Sequence, residues 1–271
     1  MNRTIDNETA AKVFAHLGFK TTPSNSLEDV TALFKSWCST IGFDTFYKAL
    51  YPTDVSCLDP NVFFKHCLDD GISNTCYPGA IGFASLLNHI PNLTYKQIVG
   101  KWDSEGTSDA DPFHPSIVVE IDSKSYLIDL GIQTGELLEL SSVPTKTTST
   151  HIPIWSDVPN VVEYKILNER LTYRFTWEGW NDESDRLYSD YIKNTEPLTA
   201  RKLIGDVSYL AIRKADSTSI IKIPLYSRAE VQRVSDDEFA KFLLETLNYS
   251  PKIVEQIMSL DISNYNDGPF G

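Results

Sequence analysis

Apolar positions recur at helical spacing through the first ninety residues and in short strand-like runs afterwards. Residues 7 to 19 read as a helix. A second opens with Ser26 as N-cap and Asp29 three positions on; it places Leu27, Val30, Phe34, Trp37 and Cys38 on one stripe. The stretch NVFFKHCLDD is amphipathic, with Val62 and Phe63 near Cys67, and AIGFASLL continues an apolar helix behind Cys76.

After residue 114 the period changes. SIVVEID and SYLIDL are joined through Asp122 to Ser125, a hairpin signal. VVEYKIL, LTYRFTW, VSYLAIR and SIIKIPLY read as further strands, with 141 to 160 and 181 to 198 as polar or proline-containing connections. Ser235 with Glu238 forms a capping box ahead of FAKFLLETL, and Ser250 followed by Pro251 starts a last helix. Helices, then strands, then helices predict an α+β protein with segregated parts.

Charge and cysteine usage narrow the function classes. The 271 residues include 37 acidic and 24 basic side chains, a formal charge of −13 with no block of clustered Lys and Arg, which argues against a nucleic-acid partner. Arg201 and Lys202 read first as a solvated surface pair, with a local patch for a cofactor phosphate as the alternative. No apolar stretch of about 18 residues occurs, and the polar start MNRTIDNETAAKVFA lacks the apolar run of a secretory signal, so no membrane partner and a cytoplasmic location are expected. Cys38, Cys57 and Cys67 read as small buried hydrophobes. A zinc site from Cys57, His66, Cys67 and Cys76 is disfavoured because the gaps match no compact ligand spacing, and no metal is expected.

Cys76 differs from the other cysteines. In SNTCYPGAIGF, Asn74 and Thr75 are N-cap types and Pro78 is tolerated only in a first helical turn, so the thiol falls where the helix dipole is positive. Gly79 and Gly82 would allow a close backbone approach. A thiol needs such help, or an adjacent imidazolium, to act as a nucleophile. Among the histidines, His16, His66 and His89 lie in or beside helices and His151 in a proline-flanked loop, whereas His114 stands between Pro112 and Pro115 just before a strand. Asp129, enclosed by apolar neighbours, is the candidate carboxylate, since a buried one needs a partner. A tight turn centred between Ser123 and Lys124 puts Val118 opposite Asp129; His114 is then on the same face but four residues along, about 13 Å away.

These three residues carry a resemblance. Cys76, His114 and Asp129, at intervals of 38 and 15 residues, match in order and spacing the triad of the arylamine N-acetyltransferases. HPSIVVEIDSKSYLIDLG resembles the family's strand, turn and strand ending in Asp-Val-Gly-Phe-Gly, with Asp129, Leu130 and Gly131 matching and Ile132 and Gln133 departing. FAHLGF and LEDVTALFKSWCSTIGFDTF resemble its N-terminal helices and Ile-Pro-Phe-Glu-Asn stretch, and YSDYIKNTEP its later part. The resemblance implies a helical bundle over residues 1–90 carrying the nucleophile, a central β-barrel over 91–190 carrying His and Asp, and an α/β lid over 191–271.

It also implies an N-acyltransferase that moves an acyl group from a thioester donor to a small-molecule amine through an acyl-cysteine. No permanently bound cofactor is implied; the co-substrate is acyl-coenzyme A or an acyl carrier protein thioester. In that reading Cys76 is the nucleophile, His114 its base and Asp129 the orienting acid, with Gly131, Gln133 and Thr134 contributing to donor binding. The family's Arg-Gly-Gly-x-Cys is replaced here by Ile72, Ser73, Asn74 and Thr75 ahead of Cys76, and Pro78 stands where an acidic residue is usual. These departures around the thiol point toward family members that act as amide synthases in natural-product assembly. The alternatives are a binding protein of the same fold without turnover, and a thioesterase or peptidase using the same triad.

Overall fold

The structure, a computed structural model, describes residues 3–51, 56–73, 75–103, 114–140, 145–147, 154–158, 161–166, 169–176, 198–224, 229–263 and 265. His151 and the stretch 188–197 lie outside the described residues. The chain opens with helices α1 (Asn7–His16) and α2 (Leu27–Thr40), a two-residue strand β1 (Phe43–Asp44), then α3 (Phe46–Leu50), α4 (Pro60–Asp70) and α5 (Cys76–Leu87). Strands β2 (Thr94–Asp103), β3 (His114–Ile121), β4 (Lys124–Ile128) and β5 (Leu138–Leu140) follow. Next come β6 (Thr145–Thr147), β7 (Ile154–Val158), β8 (Val161–Ile166) and β9 (Glu169–Thr176). The chain continues through β10 (Leu198–Ile204), β11 (Val207–Arg213), β12 (Thr218–Pro224) and β13 (Glu230–Arg233) to α6 (Asp236–Glu245) and α7 (Pro251–Ser259).

Among the described residues there are thus seven α-helices and two antiparallel sheets, ordered β1-β10-β11-β12-β13 and β5-β4-β3-β2-β9-β8-β7-β6. No described helix is long and apolar enough to cross a membrane. Three of the predicted caps form with side-chain bonds: Ser26 accepts from the Asp29 N–H, Ser250 from Ile253, and Ser235 with Glu238 closes a capping box; Thr75 takes the N-cap position of α5 without a side-chain cap bond.

Helix α5 is buried along its whole length and lies in two cores. One side, Phe83, Ala84, Leu86 and Leu87, packs with α1, α2, α4 and the inner residues of β3 and β4. There Trp37 stacks on Phe63 at 5.8 Å and meets Phe83 edge-on at 5.1 Å, offset geometries that aromatic rings favour. The other side, Cys76, Tyr77 and Ile81, packs with α3, β10, α6 and α7. Gly82 serves the first core, since a Cβ there would lie 2.7 Å from the Phe63 ring. The close approach is thus made by a side chain, not by a backbone.

Three sequence expectations need correction. The connection 141–160 contains two strands, β6 and β7. Arg201 and Lys202 are not a surface pair: both lie in β10 and are buried. The hairpin turn is centred one residue earlier than expected. Ile121 pairs with Lys124 and Val118 with Leu127, and the turn residues Asp122 and Ser123 both have positive φ, 51° and 64°, as a type I′ turn requires. Ladder continuity then puts Asp129 opposite Ser116. The shift of two positions keeps His114 on the face of Asp129 and halves their offset to about 7 Å.

Candidate active site

The halved offset is within reach of two side chains. The His114 Nε2–H donates to Asp129 Oδ1 at 2.9 Å, and both groups are buried. The same carboxylate oxygen accepts the backbone N–H groups of Gly131 at 2.9 Å and Ile132 at 3.0 Å, and the Gln133 N–H returns to the Asp129 carbonyl at 3.1 Å. Residues 129–133 therefore wrap around the acid, with Gln133 in the left-handed region at φ 56°.

Cys76 sits at the first position of α5, behind Thr75 in extended conformation, and is 7% exposed. The loop of Asp129 brings it together with the histidine: a Cβ on Gly131 would lie 2.5 Å from His114 Cε1 and 3.3 Å from Cys76 Cβ. Burial opposes a charge on His114, yet the Asp129 carboxylate, the Cys76 sulfur and hydrogen bonds to both outweigh it and push the imidazole up to about 10. The structure thus assembles all three sequence-predicted residues around a ring that favours the imidazolium form.

The three residues expected at the donor site behave differently from one another. Gly131 forms the wall described above. The Thr134 hydroxyl is committed to its own turn, donating to the Glu136 carbonyl at 3.0 Å. The Gln133 carboxamide is buried and neither its oxygen nor its nitrogen has a hydrogen-bond partner among the described residues.

Three buried ionisable residues, Asp44, Arg201 and Lys202, hold the segments on either side. Asp44 Oδ2 accepts the Ser73 N–H at 2.7 Å and the Tyr249 hydroxyl at 2.9 Å, while Oδ1 accepts the Tyr47 N–H at 3.1 Å. It ties the segment three residues before Cys76 to α3 and to the stretch before α7. Burial raises its carboxyl to about 6, against those hydrogen bonds and the Lys202 charge. Arg201 Nη1 donates to the Ile132 carbonyl at 2.7 Å. Lys202 donates to the Leu247 carbonyl at 2.7 Å and lines a cavity of roughly 500 Å³ with His16, Cys67, Asp70 and Asn248, apart from the triad. Asp44 had a readable signal, a carboxylate enclosed by Phe43 and Phe46, the same argument that singled out Asp129.

No protein-family profile and no curated protein matches the chain. Solved structures do. An arylamine N-acetyltransferase from Mycobacterium abscessus superposes with a TM-score of 0.76 at 14% identity, covering 94% of each chain. The M. smegmatis enzyme gives 0.76 at 15%, covering 93% of this chain and 97% of that one. An arylamine N-acetyltransferase from Bacillus cereus, described as having a unique Cys-His-Glu catalytic triad, gives 0.69 at 14%, covering 90% and 100%. At these identities the likeness concerns architecture, and over nearly its whole length the chain has the fold of the arylamine N-acetyltransferases.

Proposed function

We propose that the protein is an N-acyltransferase in which Cys76 takes an acyl group from a thioester donor and passes it to an amine. The observation that carries this reading is the 2.9 Å His114–Asp129 hydrogen bond beside Cys76, at the start of α5. With Nε2 held by Asp129, Nδ1 is the ring atom left for the sulfur. In the first step the Cys76 sulfur bonds to the thioester carbonyl carbon, the donor carbon–sulfur bond breaks, and the leaving thiolate takes a proton from the His114 imidazolium. In the second the amine attacks the acyl-cysteine and gives a proton back to His114; the amide departs and the thiolate–imidazolium pair is restored. Asp129 stabilises the cation and fixes the ring orientation.

The donor assigned here is an acyl-coenzyme A, with a carrier-borne thioester as the alternative, and the acceptor is a small-molecule amine. Gly131 and Gln133 are the donor-side contacts the geometry favours; Thr134 contributes through its turn. Incubating the protein with acyl-coenzyme A donors and reading intact mass tests the proposal. The expected outcome is one acyl increment on Cys76, lost in Cys76→Ala and discharged faster by an amine than by buffer. A folded protein that gains no increment from any thioester overturns the reading, and discharge indifferent to amines would make it a hydrolase.

A further inference from the structure

Strand β10 reaches the site with a side chain that no part of the chemistry above uses. Arg201 is 6% exposed, and its guanidinium Nη1 donates to the Ile132 carbonyl at 2.7 Å. Ile132 is also the residue whose N–H holds Asp129 Oδ1 at 3.0 Å, and that oxygen in turn receives His114. A continuous series of contacts therefore runs from the guanidinium through one loop residue to the carboxylate and the imidazole. The stem of Arg201 is fixed as well. β1 pairs with β10 at Phe43 and Arg201, and a Cβ on Gly42, whose φ is 78°, would lie 2.5 Å from the Arg201 carbonyl.

The charge has a use at this spot. Burial opposes the cation, and the Asp129 carboxylate, presented by the loop, favours it. A buried guanidinium is retained where its rigid fork does something a hydrophobe cannot. Removing it would leave the Ile132 carbonyl buried without this partner, a penalty the loop would relieve by moving. Movement there would carry Asp129 away from His114.

We propose that Arg201 is a positioning residue: its guanidinium holds the loop that aims Asp129, and so keeps the imidazole aligned with the Cys76 sulfur. The inference rests on the reading of Cys76 as nucleophile, but its test does not require acyl transfer. The test compares wild type with Arg201→Met and Arg201→Lys. For each it reads the rate of Cys76 alkylation by iodoacetamide as a function of pH, the rate of acyl-adduct formation with acetyl-coenzyme A, and the thermal melt. Arg201→Met is expected to melt cooperatively, to acylate about 10- to 100-fold more slowly with little change in the donor concentration giving half-maximal rate, and to reach half-maximal alkylation at a higher pH. Arg201→Lys should recover part of both.

A folded Arg201→Met whose acylation rate and alkylation profile coincide with wild type overturns the inference, because a purely structural role would alter the melt alone. Should Arg201→Met fail to fold, Arg201→Gln replaces it with the same two outcomes, being polar but too short to reach the Ile132 carbonyl. A wild type that takes no acyl group while Arg201→Met still shifts the alkylation profile refutes the acyltransferase reading and leaves the positioning role standing. The converse pattern, acylation by wild type with an unaltered Arg201→Met, refutes only the positioning role.

Discussion

Gly131 is where backbone alone serves as a wall beside Cys76 and His114. A methyl group at this position would meet His114 Cε1 at 2.5 Å and Cys76 Cβ at 3.3 Å. The ring cannot swing away without breaking its 2.9 Å bond to Asp129, and Cys76 is fixed by the first turn of a fully buried helix. Gly131→Ala should therefore displace the imidazole while leaving both cores intact. The expected result is a fall in acylation rate on the order of 10²-fold with a melting temperature close to wild type, read by intact-mass time courses and a thermal melt; an undiminished rate would show that the wall has slack. Gln133, two residues on, pays twice for its place, through a left-handed backbone and a buried amide without a hydrogen-bond partner among the described residues. That double cost supports the donor contact proposed for it.

At the level of elements, the hairpin β3–β4 decides whether His114 and Asp129 meet, and its register was only half legible in the sequence. Alternation of apolar residues placed both on one face, which held because any even shift preserves the face. The offset was misjudged because the turn centre was set one residue late. Positive φ at Asp122 and Ser123, uncommon for residues other than glycine, leaves no glycine to mark it. Ser123→Gly should relieve about 1 kcal/mol of left-handed strain and raise the midpoint of urea unfolding with the rate of acylation unchanged. A lowered midpoint would mean the serine side chain contributes to the turn.

Apart from the five-residue α3, which was not anticipated, the helices read clearly because caps and stripes agree, as at Ser26 and Ser235. Strand β10 did not, since LTARKLI carries adjacent cations that suggest solvent. Only the tertiary partners, the Ile132 and Leu247 carbonyls, explain their burial. Arg201 was missed as a site residue because what it holds, the Ile132 carbonyl, is a backbone group distant in sequence that no local pattern reports. The local signal at Asp44 was present but gave no indication of its distant partners Ser73 and Tyr249.

For the whole molecule, the fold and the charge pull in different directions. Two cores meet along α5 and put the thiol at a helix N-terminus, a local environment that favours negative charge at the site. The surrounding chain is strongly anionic, at −13. An acyl-coenzyme A donor brings several phosphate charges toward that field, and repulsion between groups separated by more than a Debye length, about 8 Å at physiological ionic strength, is removed by salt. Once within the site the donor thioester is neutral, so salt should act on encounter and not on the chemical step. Raising ionic strength from about 20 to about 200 mM, from the regime where such fields act at long range to one where they are screened, should therefore increase kcat/KM for acetyl-coenzyme A by roughly 2- to 10-fold, at or below the lower end of what steering fields produce. kcat should stay nearly constant. An uncharged N-acetylcysteamine thioester, which carries the same reacting group without phosphates, supplies the control and should show a flat profile. If kcat/KM for acetyl-coenzyme A falls with salt while the control stays flat, a local basic contact captures the phosphates and outweighs the field of the chain.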